Sequence, residues 1–146
     1  MEDSKNDNLA YKLHYLNRLL MLQLNDQIKP EGVSQGQLPV LCCLHDLEGQ
    51  TQAELCTRIQ VEQPTMANTL RRMERDGLIR RIPCEQDKRQ SRVYLTDRIR
   101  PTVEALQQKR DEVIGKMTGR MSVNDISDFH RLLDSALLAL ETNNEI

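Results

Sequence analysis

The 146-residue sequence predicts a mainly α fold with one small β-hairpin, a minor α+β character. Three observations predict it. Apolar residues recur at helical spacing at both ends of the chain: Leu9, Leu13, Leu16, Leu20 and Leu24 near the start, and Ile126, Phe129, Leu133, Leu137 and Leu140 near the end. In the middle, two short helical patterns meet at a tight corner, Gln60-Val61-Glu62. Directly after them, Leu78–Ile82 and Ser91–Leu95 read as strands around a charged turn, Cys84 to Gln90, whose length suits a long hairpin.

Met1 to Asn8 is polar and is expected to fray. Leu9 to Ile28 forms the first helix, and Tyr15, Leu19 and Leu22 widen its apolar stripe. A face that broad needs partners on two sides. Lys29-Pro30-Glu31-Gly32 breaks the helix. Ser34-x-x-Gln37 reads as a capping box opening the second helix, with Leu38, Leu41, Leu44 and Leu47 inward. Pro39 then sits where its missing N–H should be bonding, which predicts a kink or a wide first turn. Glu48-Gly49-Gln50 ends that helix, and Thr51-x-x-Glu54 is a second capping box, opening a third helix with Leu55 and Ile59 inward. After the corner comes the fourth helix. Pro64 suits its first turn, Met66, Leu70 and Met73 make its inner stripe, and Gly77 ends it. Beyond the hairpin, Thr96 is expected to cap a long helix running toward Met117, with Val103, Leu106, Val113 and Met117 inward and Pro101 awkward near its start. Thr118-Gly119 breaks it, and Ser122-x-x-Asp125 opens the last helix.

The chemistry lies on the fourth helix. Opposite its apolar stripe stand Pro64, Asn68, Arg71, Arg72 and Arg75, with Gln63 at the start and Thr65 at the flank. Asn pairs bidentately with adenine, and Arg with guanine or phosphate. On an isolated helix the same residues would make an ordinary solvated face. The context favours nucleic acid, because a sharply angled helix pair followed by a strand pair is a helix-turn-helix with a wing.

Glu74-x-x-Gly77-Leu78-Ile79-x-Arg81, then Asp87-x-Arg89, then Leu95-Thr96, resembles the MarR family of winged helix-turn-helix transcriptional regulators, and the resemblance extends over nearly the whole chain. It implies a single MarR-like domain over residues 1–146. Within it, residues 34–96 would form the DNA-binding lobe, and residues 8–30 and 97–142 a helical dimerisation region. It also implies a homodimer reading a pseudo-palindromic operator on double-stranded DNA. Asp87 would orient Arg89, which would enter the minor groove beside Lys88 on the wing. The DNA-contacting set is then Gln63, Pro64, Thr65, Asn68, Arg71, Arg72, Asp87, Lys88 and Arg89. The family further implies a repressor released by a small molecule. Tyr11, His14 and Arg18 are the polar candidates for such an aromatic or anionic effector, Arg18 having an ion pair as its plainer role.

Composition narrows the alternatives. A net charge of -2 and a pI near 5.9 exclude a basic coat protein, yet residues 58–92 hold nine Lys/Arg against five acids, a basic patch on an acidic body. One Phe and no Trp argue against single-strand binding by base stacking. With no apolar run long enough to span a membrane and no signal-peptide pattern, a cytoplasmic protein with four free thiols is expected. Oxidant-sensing members of the family carry a Cys near the start of the first helix; this chain has none there. Cys42, Cys43, Cys56 and Cys84 therefore read as structural, with an oxidant-sensing regulator of the same fold as the alternative. Cys42-x-x-His45 is half a metal site with nothing to place two further ligands near it. No nucleophile elbow, phosphate loop or cofactor motif is present, so neither an enzyme nor a cofactor is expected. A winged module that binds protein is the remaining alternative. The charge on the fourth helix and the wing argues against it.

Overall fold

The computed structural model describes the backbone of residues 5–143 and the side chains of residues 8–141. The chain forms two compact units, residues 1–113 and 114–146. In the first, α1 (Lys5–Ile28) passes through a single 3-10 turn at Lys29–Glu31 into α2 (Leu38–Asp46), β1 (Gln50–Thr51), α3 (Gln52–Ile59), α4 (Gln63–Arg75), β2 (Ile79–Pro83) and β3 (Ser91–Leu95). A second 3-10 turn, Arg100–Thr102, leads into α5 (Val103–Met117), which ends in the second unit, followed there by α6 (Val123–Asn143). Of the segment expected to fray, residues 1–4 lie outside the described residues, and Lys5–Asn8 are already helical.

The core of the first unit is where the helical stripes meet the sheet. Leu41 and Leu44 of α2, Leu55 of α3, Met66, Leu70 and Met73 of α4, and Leu95 of β3 are all fully buried together. Burying each side chain of this size contributes about 1.5–3 kcal/mol, so this cluster fixes where α4 lies. The sheet is antiparallel in the order β1-β3-β2, with Ile79 opposite Leu95 and Pro83 opposite Ser91. The sequence reading missed β1. It is two residues long, too short for any periodicity, yet Gln50 and Thr51 pair with Val93 and Arg92 and tie the start of α3 to the hairpin.

Two caps differ from expectation. The second helix begins at Leu38, so Pro39 falls in the first turn, where no backbone partner is lost. Ser34 caps nothing with its side chain; instead its N–H donates to Gln37 Oε1 at 3.1 Å. Thr96 likewise does not cap the long helix. Its hydroxyl donates to the Gly77 carbonyl at 2.7 Å, locking the strand end to the end of α4, and Pro101 is absorbed in the 3-10 turn ahead of α5. At Thr51 the N-cap half of the box is present, the Glu54 N–H donating to Thr51 Oγ1 at 3.3 Å.

In the second unit the Ser122 box is complete: Asp125 N–H donates to Ser122 Oγ at 3.1 Å, and Ser122 N–H to Asp125 Oδ2 at 2.9 Å. That backbone N–H holds the Asp125 carboxyl below its ordinary value. Leu133, Leu137 and Leu140, expected inward, are exposed, while Ile126 and Phe129 are half-buried. Among the described side chains of α1, only Leu24 and Ile28 are buried; Leu9, Leu13, Leu16, Leu19 and Leu22 are exposed.

Candidate nucleic-acid interface

The outward face of α4 follows from its core stripe. With Met66, Leu70 and Met73 fully buried, Gln63, Pro64, Thr65, Asn68, Arg71 and Arg72 are all turned to solvent. Pro64 stands in the first turn, where its lack of an N–H costs nothing. The helix ends in a left-handed Gly77, φ 74°, with Leu78 N–H donating to Met73 O and Gly77 N–H to Glu74 O. This pair of reverse bonds is a Schellman cap, and Leu78 packs with Met73 in the core behind it.

Several of these side chains are already engaged. Arg71 Nη2 donates to Asn68 Oδ1 at 2.8 Å. Gln63 Oε1 accepts from Gln52 Nε2 at 2.9 Å, bridging the starts of α3 and α4 across the corner. The corner itself turns on Gln60, held at φ 61°, whose N–H donates to Cys56 O. On the wing, Arg89 Nε and backbone N–H both donate to Asp87 Oδ1 at 3.1 Å, and Nη2 donates to Asp87 Oδ2 at 3.3 Å. These bonds from Arg89 hold the Asp87 carboxyl below its ordinary range. The Arg89 side chain is nonetheless 91% exposed. Lys88 beside it is exposed as well.

A cleft of about 310 Å³ separates the wing from the start of the helix pair, lined by Gln52, Gln63, Arg81, Arg89, Gln90 and Ser91 among others. The wing tip and the first turn of α4 therefore flank one cleft. Other basic residues of the patch serve the fold instead. Arg92 Nη1 donates to Gly49 O at 2.8 Å, and Arg81 Nε lies 3.8 Å from Glu74, buried and without a hydrogen-bond acceptor. The count of charges in the sequence did not separate these pins from the solvent-facing ones.

The proposed effector residues are placed differently. Tyr11 stacks on Tyr15, ring centres 6.0 Å apart, and the Arg18 guanidinium lies 5.3 Å over the Tyr15 ring. Tyr15 was read from the sequence only as part of an apolar stripe, and it is the residue that joins Tyr11 to Arg18. Arg18 lines an open cleft of about 460 Å³ with Asn17, Met21, Leu22, Asn25, Ser34 and Gln35; Tyr11 and His14 do not.

The four cysteines are free. Burial pushes the Cys42 thiol up, against the pull of Arg110, whose Nη1 lies 3.5 Å from the sulfur. His45, its partner in the half metal site, lies 3.7 Å from Glu104. Cys84 is buried at the foot of the wing, where the backbone N–H groups of Asp87 and Gln86 bring its thiol down. Among the described residues no helix is long and apolar enough to cross a membrane.

The family model for the MarR family matches residues 33–91. The uncharacterized HTH-type transcriptional regulator YwoH of Bacillus subtilis (strain 168) is 35% identical over 91 residues, which is 62% of this chain and 66% of that protein, just under two thirds of its length. Among solved structures, a mutant MarR from E. coli complexed with operator DNA aligns at a TM-score of 0.80 and 24% identity, covering 93% of this chain and 99% of that one. The S. aureus MepR-DNA complex aligns at a TM-score of 0.84 and 24% identity, covering 90% and 97%. At that identity the structural likeness speaks for the fold.

Proposed function

We propose that the chain is a member of the MarR family and, on that premise, a homodimeric, sequence-specific regulator of transcription that binds double-stranded DNA. The observation that carries the reading is the shared cleft: the wing tip at Arg89 and the first turn of α4 at Gln63 border the same space. One protein face thus offers a helix for the major groove and an arginine for the neighbouring minor groove. Gln63, Pro64, Thr65, Asn68, Arg71 and Arg72 are assigned to the groove face, Lys88 and Arg89 to the wing, and Asp87 to holding the Arg89 fork.

Residues 34–96 form the DNA-binding lobe in this reading. Residues 8–30 and 97–142 form the dimerisation region, whose exposed leucines on α1 and α6 a second copy covers. The protein acts as a repressor, without catalysis, metal or cofactor, and in the cytoplasm. A small aromatic or anionic effector releases it, with Arg18 as the anion-binding group and Tyr11 and His14 on the same helix.

The test is duplex binding across a salt series. Binding should fall steeply and linearly in log–log form as salt rises, because each phosphate contact releases counterions. Arg72→Ala should flatten that slope. Salt-independent binding, or none at low salt, would sink the reading and favour a protein-binding wing.

A further inference from the structure

Asn68 and Arg71 stand three residues apart on the exposed face of α4, and Arg71 Nη2 donates to Asn68 Oδ1 at 2.8 Å. Burial does not force this bond, since both side chains face solvent. Its chemistry differs from that of the neighbouring arginines. Arg75 is held by the Asp76 carboxylate and Arg89 by the Asp87 carboxylate. The Asn68 acceptor is neutral, so Arg71 keeps an uncompensated positive charge while its direction is fixed.

The geometry divides the labour between the two residues. An Asn that reads adenine uses Oδ1 and Nδ2 together. Here Oδ1 already holds a charged donor. An Arg that reads guanine needs two N–H groups toward O6 and N7. Arg71 retains Nη1 and the second hydrogen of Nη2 for that purpose. Thr69, between them in sequence, turns its hydroxyl back to the Thr65 carbonyl at 2.9 Å and does not compete. A long exposed Arg otherwise loses rotamer freedom on binding, and a fork oriented beforehand loses less.

We infer that Asn68 is a positioning residue that aims Arg71, and that Arg71 reads a guanine in each half-site. The inference rests on the DNA-binding reading above. It is tested by selecting bound sequences from a pool of random duplexes with wild type, Asn68→Ala, Asn68→Asp, Arg71→Ala and the Asn68→Ala/Arg71→Ala double variant. Far-ultraviolet dichroism checks that each variant keeps its helices.

Arg71→Ala should lower the preference for G·C at one base step by roughly 10- to 100-fold. Asn68→Ala should lower the preference at the same step, by less, and the double variant should be no worse than Arg71→Ala alone. Asn68→Asp should keep the guanine preference while weakening all binding, because a carboxylate still accepts from Arg71 but repels phosphate. Relaxation at a different base pair in Asn68→Ala, additive losses in the double variant, or loss of the guanine preference in Asn68→Asp would each overturn the inference. A wild-type chain that enriches no sequence at all would overturn the DNA-binding reading itself, and that outcome is read without any variant.

Discussion

Arg89 is held at three points by Asp87 and still almost wholly exposed, so its guanidinium is directed in advance and free to meet a partner. Its replacement by Ala should reduce discrimination between A·T-rich and G·C-rich flanks, because a narrow minor groove attracts an inserted arginine. Asp87→Ala should give a weaker form of the same defect. Lys88→Ala should weaken binding to all sequences alike, as loss of a phosphate contact does. Binding to duplexes with the two kinds of flank, at two salt concentrations, separates these outcomes; equal losses on both flanks for Arg89→Ala would reduce it to a phosphate contact. The sign of the Asp87 shift adds a condition. Its folded pKa lies below the ordinary value, so the pair is complete above that value and lost only as pH falls through the lower folded one. Flank discrimination should therefore stay constant from about pH 5 to 8. Cys42 carries a different expectation. Burial raises its thiol pKa, which disfavours the reactive thiolate. Moderate peroxide should leave DNA affinity unchanged, and Cys42→Ser should cost roughly 1 kcal/mol of stability through a hydroxyl placed at a half-buried site. A reversible, peroxide-dependent loss of binding that Cys42→Ser, Cys43→Ser or Cys84→Ser abolishes would make the protein an oxidant sensor instead.

α4 is aimed by its two ends and its core stripe. At its end Gly77 adopts φ 74°, and an added Cβ would meet nothing closer than Arg98 Nη2 at 3.8 Å, so Gly77→Ala tests backbone strain without a clash. It should destabilise by about 1 kcal/mol, seen as a lower unfolding midpoint at unchanged m-value. A neutral result would mean the cap is free to rearrange. The wing is pinned from behind by Glu48, which accepts from the Leu95 N–H and from Arg100 Nη2, both at 2.9 Å. Burial alone would raise this carboxyl, but the bonds from Arg100 and Leu95 outweigh it and hold it below the ordinary 4.5. Its stabilisation is thus full above pH 4.5 and lost as pH falls through the lower folded value, so Glu48→Gln should flatten the acid limb of the stability curve. These elements show what the sequence made legible. The α4 faces, the Thr51 and Ser122 boxes and the Gly77 stop were readable because each is a local rule written in adjacent residues. β1, the Gln52–Gln63 bridge and the Glu48–Arg100 clamp were not, since they join positions that only the fold brings together. Thr96 and Ser34 misled for the same reason: a hydroxyl at cap spacing was taken up by a partner elsewhere or left out of a helix starting later.

On the scale of the whole molecule, two helices carry apolar faces that the single chain leaves open. α1 exposes Leu9, Leu13, Leu16, Leu19 and Leu22, and α6 exposes Leu132, Leu133, Leu137, Leu138 and Leu140. Exposed apolar stripes of this kind mark interaction sites, and a second copy is the occupant our reading requires. Deleting the chain from Asn124 onward should therefore produce aggregation or unfolding. A soluble, cooperatively unfolding monomer from that deletion would refute the dimer. A two-fold dimer carries two copies of α4, which gives the operator a symmetry the single chain lacks. The most direct measurement of the central claim is the sequence logo that the wild-type protein selects from random duplexes. We expect an inverted repeat, its half-sites one helical turn or a small multiple apart, with A·T-rich positions outside them where Arg89 reaches. A single unrepeated half-site, or no enriched sequence, would contradict it.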